Sequence, residues 1–116
     1  MVFSDAVYNI CKKIPKGKVS TYKEIAYLLN SKAYRAVGNV LNKNNNKEVP
    51  CHRVVGSSGD LVGFASGLEK KKELLEKEGI EINNNKVVDF ERRLFKFLWN
   101  TSVLNSEIIF YLWFTR

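Results

Sequence analysis

Residues 49–55 read Val-Pro-Cys-His-Arg-Val-Val, and the chain's one histidine, His52, directly follows Cys51. A thiol attacks carbon only as the thiolate, so it needs a base or a positive field nearby to lose its proton at neutral pH. His52 offers the base, and Arg53 a second source of positive potential. Adjacent residues need not have adjacent side chains, so the alternative is a buried structural cysteine beside a surface histidine. Residue types alone leave both readings open. Pro50 fixes φ just ahead of the cysteine and biases Val49 toward extended backbone, so the thiol is expected on a stiff, non-helical segment.

A small domain has to carry that segment. The chain of 116 residues can bury one core, and its hydrophobic content of 45% is that of a globular protein. The N-terminus lacks the charged lead and apolar run of a signal peptide, and no stretch reaches the length of a membrane span. Cys11 and Cys51 have no metal-ligand spacing. Free thiols suit a reducing setting, so a cytoplasmic location and no membrane association are expected. The charge is uneven. The formal net charge is +7, and all of this excess lies in residues 1–59, the half that contains the Cys-His pair. A basic face favours phosphates and hence nucleic acid, although many soluble domains are mildly basic without a ligand.

The first helix follows from Phe3, Ala6, Val7, Ile10, Cys11 and Ile14, which recur at the spacing of one apolar stripe. Cys11 lies on that stripe and is read as a core residue. Ile14-Pro15-Lys16-Gly17 ends the helix, and Lys18-Val19-Ser20 is a short extended link. Thr21 with Glu24 forms a capping box for a helix reaching about Asn30. Ser31 can cap a second helix over residues 32–43 after a very short turn, and the two suggest a helix-turn-helix. Ala33, Ala36, Val37, Val40 and Leu41 form its inward face, with Arg35, Gly38, Asn39 and Asn42 on the other side. A mid-helix glycine costs ~1 kcal/mol relative to alanine, so Gly38 implies close approach to another surface, either nucleic acid or a neighbouring helix.

Lys43 to Lys47 is a loop, and any of its three asparagines could serve the site. Residues 54–62 are expected to form a small hairpin or wing. Residues 63–67 are a flexible loop able to wall a pocket, and Leu68 to Glu78 a helix closed by Gly79. Lys70-Lys71-Lys72 is read as a solvated helix face. Residues 83–86 are a polar break, residues 90–99 are a candidate helix, and more than half of the aromatic side chains fall after Asp89. The apolar run Ile108 to Phe114 is too short to cross a bilayer; it is open to packing, dimer contact or aggregation.

Four motifs carry a resemblance: Ser20-Thr21-Tyr22, Arg35-Ala36-Val37-Gly38, Pro50-Cys51-His52-Arg53-Val54 and Gly63-Phe64-Ala65-Ser66-Gly67-Leu68. In order and spacing they resemble the active-site domain of O6-alkylguanine-DNA alkyltransferases, over about residues 3–79. The resemblance implies a mainly α, winged helix-turn-helix-like domain with a small β-hairpin over residues 1–82, followed by an aromatic extension over 83–116. It implies binding of double-stranded DNA through the minor groove, as a monomer, with a flipped O6-alkylguanine in a pocket. Cys51 would take the alkyl group once and irreversibly, with no cofactor and no metal. His52 would accept the thiol proton through a water, Glu78 would orient His52, and Tyr22 would donate to the leaving guanine. Arg35 would fill the space of the flipped base. Thr21, Tyr22, Ala36 and Gly38 complete the DNA contacts that the resemblance implies. Val54, Phe64, Ala65 and Ser66 would form the pocket. The family's hinge asparagine falls on Asn44, with Asn45 as the alternative. Family members commonly carry an N-terminal domain ahead of this one, whereas here the first helix begins almost at Met1. Short relatives, the alkyltransferase-like proteins, bind alkylated guanine without repairing it and typically replace the cysteine with tryptophan. The presence of Cys51 favours catalysis over that reading, and over a general helix-turn-helix regulator.

Overall fold

Thr21 ends a strand and begins a helix. Its hydroxyl oxygen accepts from the Glu24 backbone N–H at 3.0 Å, the capping bond that its spacing predicts. The computed structural model describes residues 3–97. In chain order these form α1 (Phe3–Cys11), β1 (Ser20–Thr21), α2 (Tyr22–Leu28), α3 (Tyr34–Asn42), a 3-10 turn (Cys51–Arg53), β2 (Val54–Val55), α4 (Leu68–Lys77), β3 (Ile82–Asn83), β4 (Lys86–Val87) and α5 (Phe90–Arg93). The architecture is mainly helical with two small sheets.

The first three helices pack together, and Ala6, Val7, Ile10 and Cys11 are the buried stripe of α1. α2 ends with Asn30 in the left-handed region (φ 55°), where the N–H groups of Asn30 and Ser31 return to Tyr27 and Ala26. α3 begins at Tyr34, two residues later than expected, because Ser31 caps only the intervening turn through Ala33 N–H. Ala33 is therefore exposed rather than inward. Val37 and Leu41 are buried, and Ala36 and Val40 half-buried.

β1 and β2 pair in parallel, Ser20 with Val54 and Thr21 with Val55. Successive strand residues face opposite ways. Val54 accordingly enters the core of the helices, while Val55 enters a second core with Val19, Leu61, Leu75, Ile80, Ile82 and Val87. This pairing corrects the expected hairpin over 54–62. β2 finds its partner upstream, and Gly59 and Leu61 instead hydrogen-bond the hairpin of β3 and β4. The wing is that later hairpin. Its turn is Asn84-Asn85 with φ 53° and 58°, the two left-handed residues of a tight hairpin, so the expected polar break is a turn.

After the hairpin, α5 is one turn long, and residues 94–97 run extended, which corrects the helix expected over 90–99. Val19 N–H donates to Arg93 O and Phe95 N–H to Val19 O, carrying Phe97 (8% exposed) into the helical core. The expected division after residue 82 thus falls inside a hairpin, and the chain up to 97 shares the cores of what precedes it. Trp99 and the apolar run 108–114 lie outside the described residues.

Candidate active site

Pro50 delivers the chain into a single 3-10 turn, where a non-helical segment was expected. Cys51 N–H donates to Val49 O at 2.8 Å and Arg53 N–H to Pro50 O at 3.0 Å, fixing the backbone on both sides of the sulfur. Cys51 is 7% exposed and lines a cleft of about 440 Å³. The end of α3 and the asparagine loop form part of the lining, with Leu41, Asn44, Asn45, Asn46 and Lys47. Phe64, Ala65 and Ser66 contribute from the glycine-rich loop, with Lys70 and Leu74 from α4.

Asn44 Nδ2 donates to Cys51 Sγ at 2.9 Å and to Asn46 O at 2.9 Å, and Asn44 Oδ1 accepts from Asn46 N–H. Asn44 is thus the loop residue that touches the sulfur; Asn45 lines the cleft without that contact. Cys11 and Cys51 are both buried in the core of the helices. The neighbouring Cys11 thiol lowers the Cys51 pKa, burial raises it, and the Asn44 bond and the Lys71 charge bring the net result below the ordinary thiol value.

His52 also lines the cleft, with Nε2 3.0 Å from Glu78 Oε2. An ionised carboxylate can only accept, so Nε2 carries the proton and Nδ1 is the basic nitrogen. Burial pushes His52 below its ordinary value, outweighing Glu78, so the imidazole is neutral at pH 7. Glu78 is itself gripped by Arg53, Nε to Oε1 at 2.9 Å and Nη2 to Oε2 at 2.6 Å, while Arg53 Nη1 holds Ile14 O. Burial raises Glu78, but the bonds from Arg53 and His52 win and hold it below the usual carboxylate range. Local sequence sets this placement. Gly79 takes φ 86°, and the N–H groups of Gly79 and Ile80 return to Glu76 and Leu75, ending α4 with Glu78 as its C-cap.

Lys71 overturns the reading of residues 70–72 as a solvated face. It is 0% exposed, and its Nζ contacts Val54 O (2.6 Å), Val62 O (2.8 Å), Gly63 O (3.0 Å) and Tyr22 Oη (3.2 Å). Burial pulls its pKa down to about 7. The signal for Lys71 was present in the sequence: it stands four residues before Leu75, on the inward face of α4. Tyr22 donates its hydroxyl to Val62 O at 2.8 Å, and burial pushes its pKa up to about 12, so it remains a neutral phenol.

The remaining expected residues lie apart from the sulfur. Arg35 is exposed and Ala36 half-buried on α3. A Cβ on Gly38 would sit 3.7 Å from the Tyr22 ring, an ordinary contact, so packing within the domain does not demand glycine there. Thr21 is 8% exposed and caps α2. Val54 is buried and does not line the cleft; its N–H returns to Cys51 O and its carbonyl accepts from Lys71. Among the described residues no group of three or more His, Cys, Asp or Glu side chains could hold a metal ion, and no helix is long and apolar enough to cross a membrane.

Comparison with known proteins converges on one family. Residues 2–80 match 6-O-methylguanine DNA methyltransferase, DNA binding domain. A methylated-DNA–protein-cysteine methyltransferase of Methanosarcina acetivorans is 51% identical over 79 residues, covering 66% of this chain and 51% of that protein. Among solved structures, Schizosaccharomyces pombe Atl1 in complex with damaged DNA containing O6-carboxymethylguanine is similar at a TM-score of 0.71 and 31% identity, covering 81% of this chain and 94% of that one. Mycobacterium tuberculosis OGT in complex with DNA is similar at a TM-score of 0.64 and 40% identity, covering 67% and 50%. The chain spans about half the length of the methylated-DNA–protein-cysteine methyltransferase it matches.

Proposed function

We propose that this chain, which belongs to the 6-O-methylguanine DNA methyltransferase family, repairs DNA by moving the alkyl group of O6-alkylguanine onto Cys51. The observation that carries the reading is the sulfur itself: a cysteine in the cleft, with Asn44 Nδ2 at 2.9 Å and its pKa held below the ordinary value.

In this reading His52 Nδ1 takes the Cys51 proton through a bridging water, while Glu78, held by Arg53, keeps the imidazole oriented and burial keeps it neutral before transfer. The thiolate attacks the alkyl carbon, the S–C bond forms as the C–O6 bond breaks, and the electron pair leaves on guanine. Tyr22 answers that charge by turning its hydroxyl from Val62 O toward the base and donating a hydrogen bond, and the guanine anion takes up its proton from water. Each chain acts once, since the thioether is not hydrolysed. Arg35 and the exposed face of α3 enter the minor groove, with Arg35 occupying the vacated stack, and Phe64, Ala65 and Ser66 wall the flipped base. The protein acts as a monomer on double-stranded DNA, in a reducing cytoplasmic setting that keeps both thiols free.

A second reading is a protein that binds alkylated DNA without accepting the group. One observation favours it: the TM-score to Atl1 is 0.71, against 0.64 for OGT in complex with DNA. Single-turnover incubation with a duplex containing O6-methylguanine separates the two. Transfer restores guanine and plateaus at one equivalent per protein; binding alone restores none.

A further inference from the structure

The cleft beside Cys51 is charged on one side of the ledger only. Lys47 enters its lining from the asparagine loop and Lys70 from α4, and among the described residues no Asp or Glu joins them. The other basic side chains near the sulfur are already engaged: Arg53 with Glu78 and Ile14 O, Lys71 with three carbonyls and the Tyr22 hydroxyl. Lys47 has no salt-bridge partner among the described residues. Lys70 is held loosely. Its Nζ stands 3.5 Å from Glu73 Oε1, in a pair about half exposed on both sides, and the same oxygen lies closer to Lys77, at 3.1 Å. Exposed pairs of this kind contribute little, and lysine carries its charge on a flexible four-carbon stem. The Lys70 ammonium is therefore free to follow an anion placed in the cleft. Transfer of a methyl group gives these cations no role, because a methyl carbon meets the thiolate without repulsion. An alkyl group that ends in a carboxylate brings a second negative charge toward the Cys51 thiolate, and like charges repel strongly in a poorly hydrated site. Cations in the walls offset that repulsion.

We propose that Lys47 and Lys70 are specificity-determining residues that let the cleft take O6-alkyl groups ending in a carboxylate, such as carboxymethyl. The inference rests on Cys51 being the acceptor. The step is that of methyl transfer: the S–C bond forms at the CH2 carbon as the C–O6 bond breaks. The electron pair leaves on guanine, which takes a proton from water, and the carboxylate travels unchanged on the carbon.

The test sets two lesions against each other in duplexes of one sequence, with O6-methylguanine as the reference. One is O6-carboxymethylguanine; the other is O6-carbamoylmethylguanine, which matches it in size and is neutral. Single-turnover rates are read by mass spectrometry of the Cys51 peptide, in the native chain and in the double variant Lys47→Gln, Lys70→Gln. The readout is the carboxymethyl-to-carbamoylmethyl ratio, since phosphate contacts and folding affect both duplexes alike. We expect that ratio to fall roughly threefold to tenfold in the variant, the worth of two exposed charge contacts. In the native chain it should also fall as salt rises, and in the variant it should hardly respond. A ratio unchanged by the substitutions overturns the proposal, and an equal loss on all three duplexes assigns the lysines to DNA phosphates instead. A native ratio indifferent to salt overturns it equally. In a chain that takes no methyl group, the same ratio is read as equilibrium affinity for the two duplexes. A fall in the variant then upholds the cationic cleft and sinks the repair reading alone; an unchanged affinity ratio sinks both.

Discussion

Arg53 and Glu78 meet in a two-bond fork, Nε to Oε1 at 2.9 Å and Nη2 to Oε2 at 2.6 Å, and the same Oε2 holds His52 Nε2. Both side chains are largely buried, at 15% and 10% exposure. Removing the carboxylate charge leaves a guanidinium in a poorly hydrated place with half of its partner. Glu78→Gln should therefore cost about 3 kcal/mol in urea unfolding and slow the reaction of Cys51 with DNA. Native stability in that variant would mean the fork contributes nothing.

The same group fixes a pH dependence. His52 and Glu78 are both held below their ordinary values of 6.5 and 4.5. The unfolded chain then binds more protons than the folded one, so stability rises with pH in each window. His52 contributes fully above 6.5, and its contribution is lost as pH falls through the folded value; Glu78 does the same from 4.5 downward. Urea midpoints should decline on acidification from pH 6.5, and His52→Gln should flatten the upper part of that decline. An unchanged slope in the variant would contradict the assignment.

Lys71 ties α4 to the backbone after the nucleophile and to the loop at Val62 and Gly63. Methionine has a similar length and no donors. Lys71→Met should destabilise by about 3 kcal/mol, because the buried Val54 carbonyl loses its Lys71 donor while Val62 O and Gly63 O each lose one as well. A variant as stable as the native chain would show that water replaces the ammonium without loss.

Asn44 and Asn45 are separable by one pair of variants. Asn44→Ala removes the donor on Cys51 Sγ and should slow alkylation by about tenfold at pH 7, whereas Asn45→Ala should change the rate by less than about twofold. The reverse ranking would move the role to Asn45.

Gly38→Ala tests the outward face of α3. A Cβ fits at 3.7 Å from the Tyr22 ring, and alanine is the better helix former, so stability should rise by up to ~1 kcal/mol. Affinity for duplex DNA should fall in the same variant, because the added methyl group stands off the backbone that approaches the groove. Unchanged DNA affinity would assign the glycine to packing.

The sequence foretold what local chemistry dictates. The stripe of α1, the Thr21–Glu24 cap and the Gly79 stop each depend on residues a few positions apart, and each formed. Strand partners were not legible: two-residue strands carry no periodicity, so Val54-Val55 gave no hint of Ser20-Thr21 upstream. Asn84-Asn85 read as a break because a tight turn and a loop share their residue types. Lys71 was hidden in a run of three lysines, where composition suggested solvent and only its i, i+4 register with Leu75 pointed inward. Cys11 was placed in the core correctly.

The most direct test is intact and peptide mass spectrometry after mixing the protein with duplex DNA carrying one O6-methylguanine. We predict one added methyl group, on the peptide containing Cys51, with guanine restored in the DNA and no addition in Cys51→Ala. An unmodified protein that still prefers the damaged duplex would contradict transfer and leave a damage-binding module in its place.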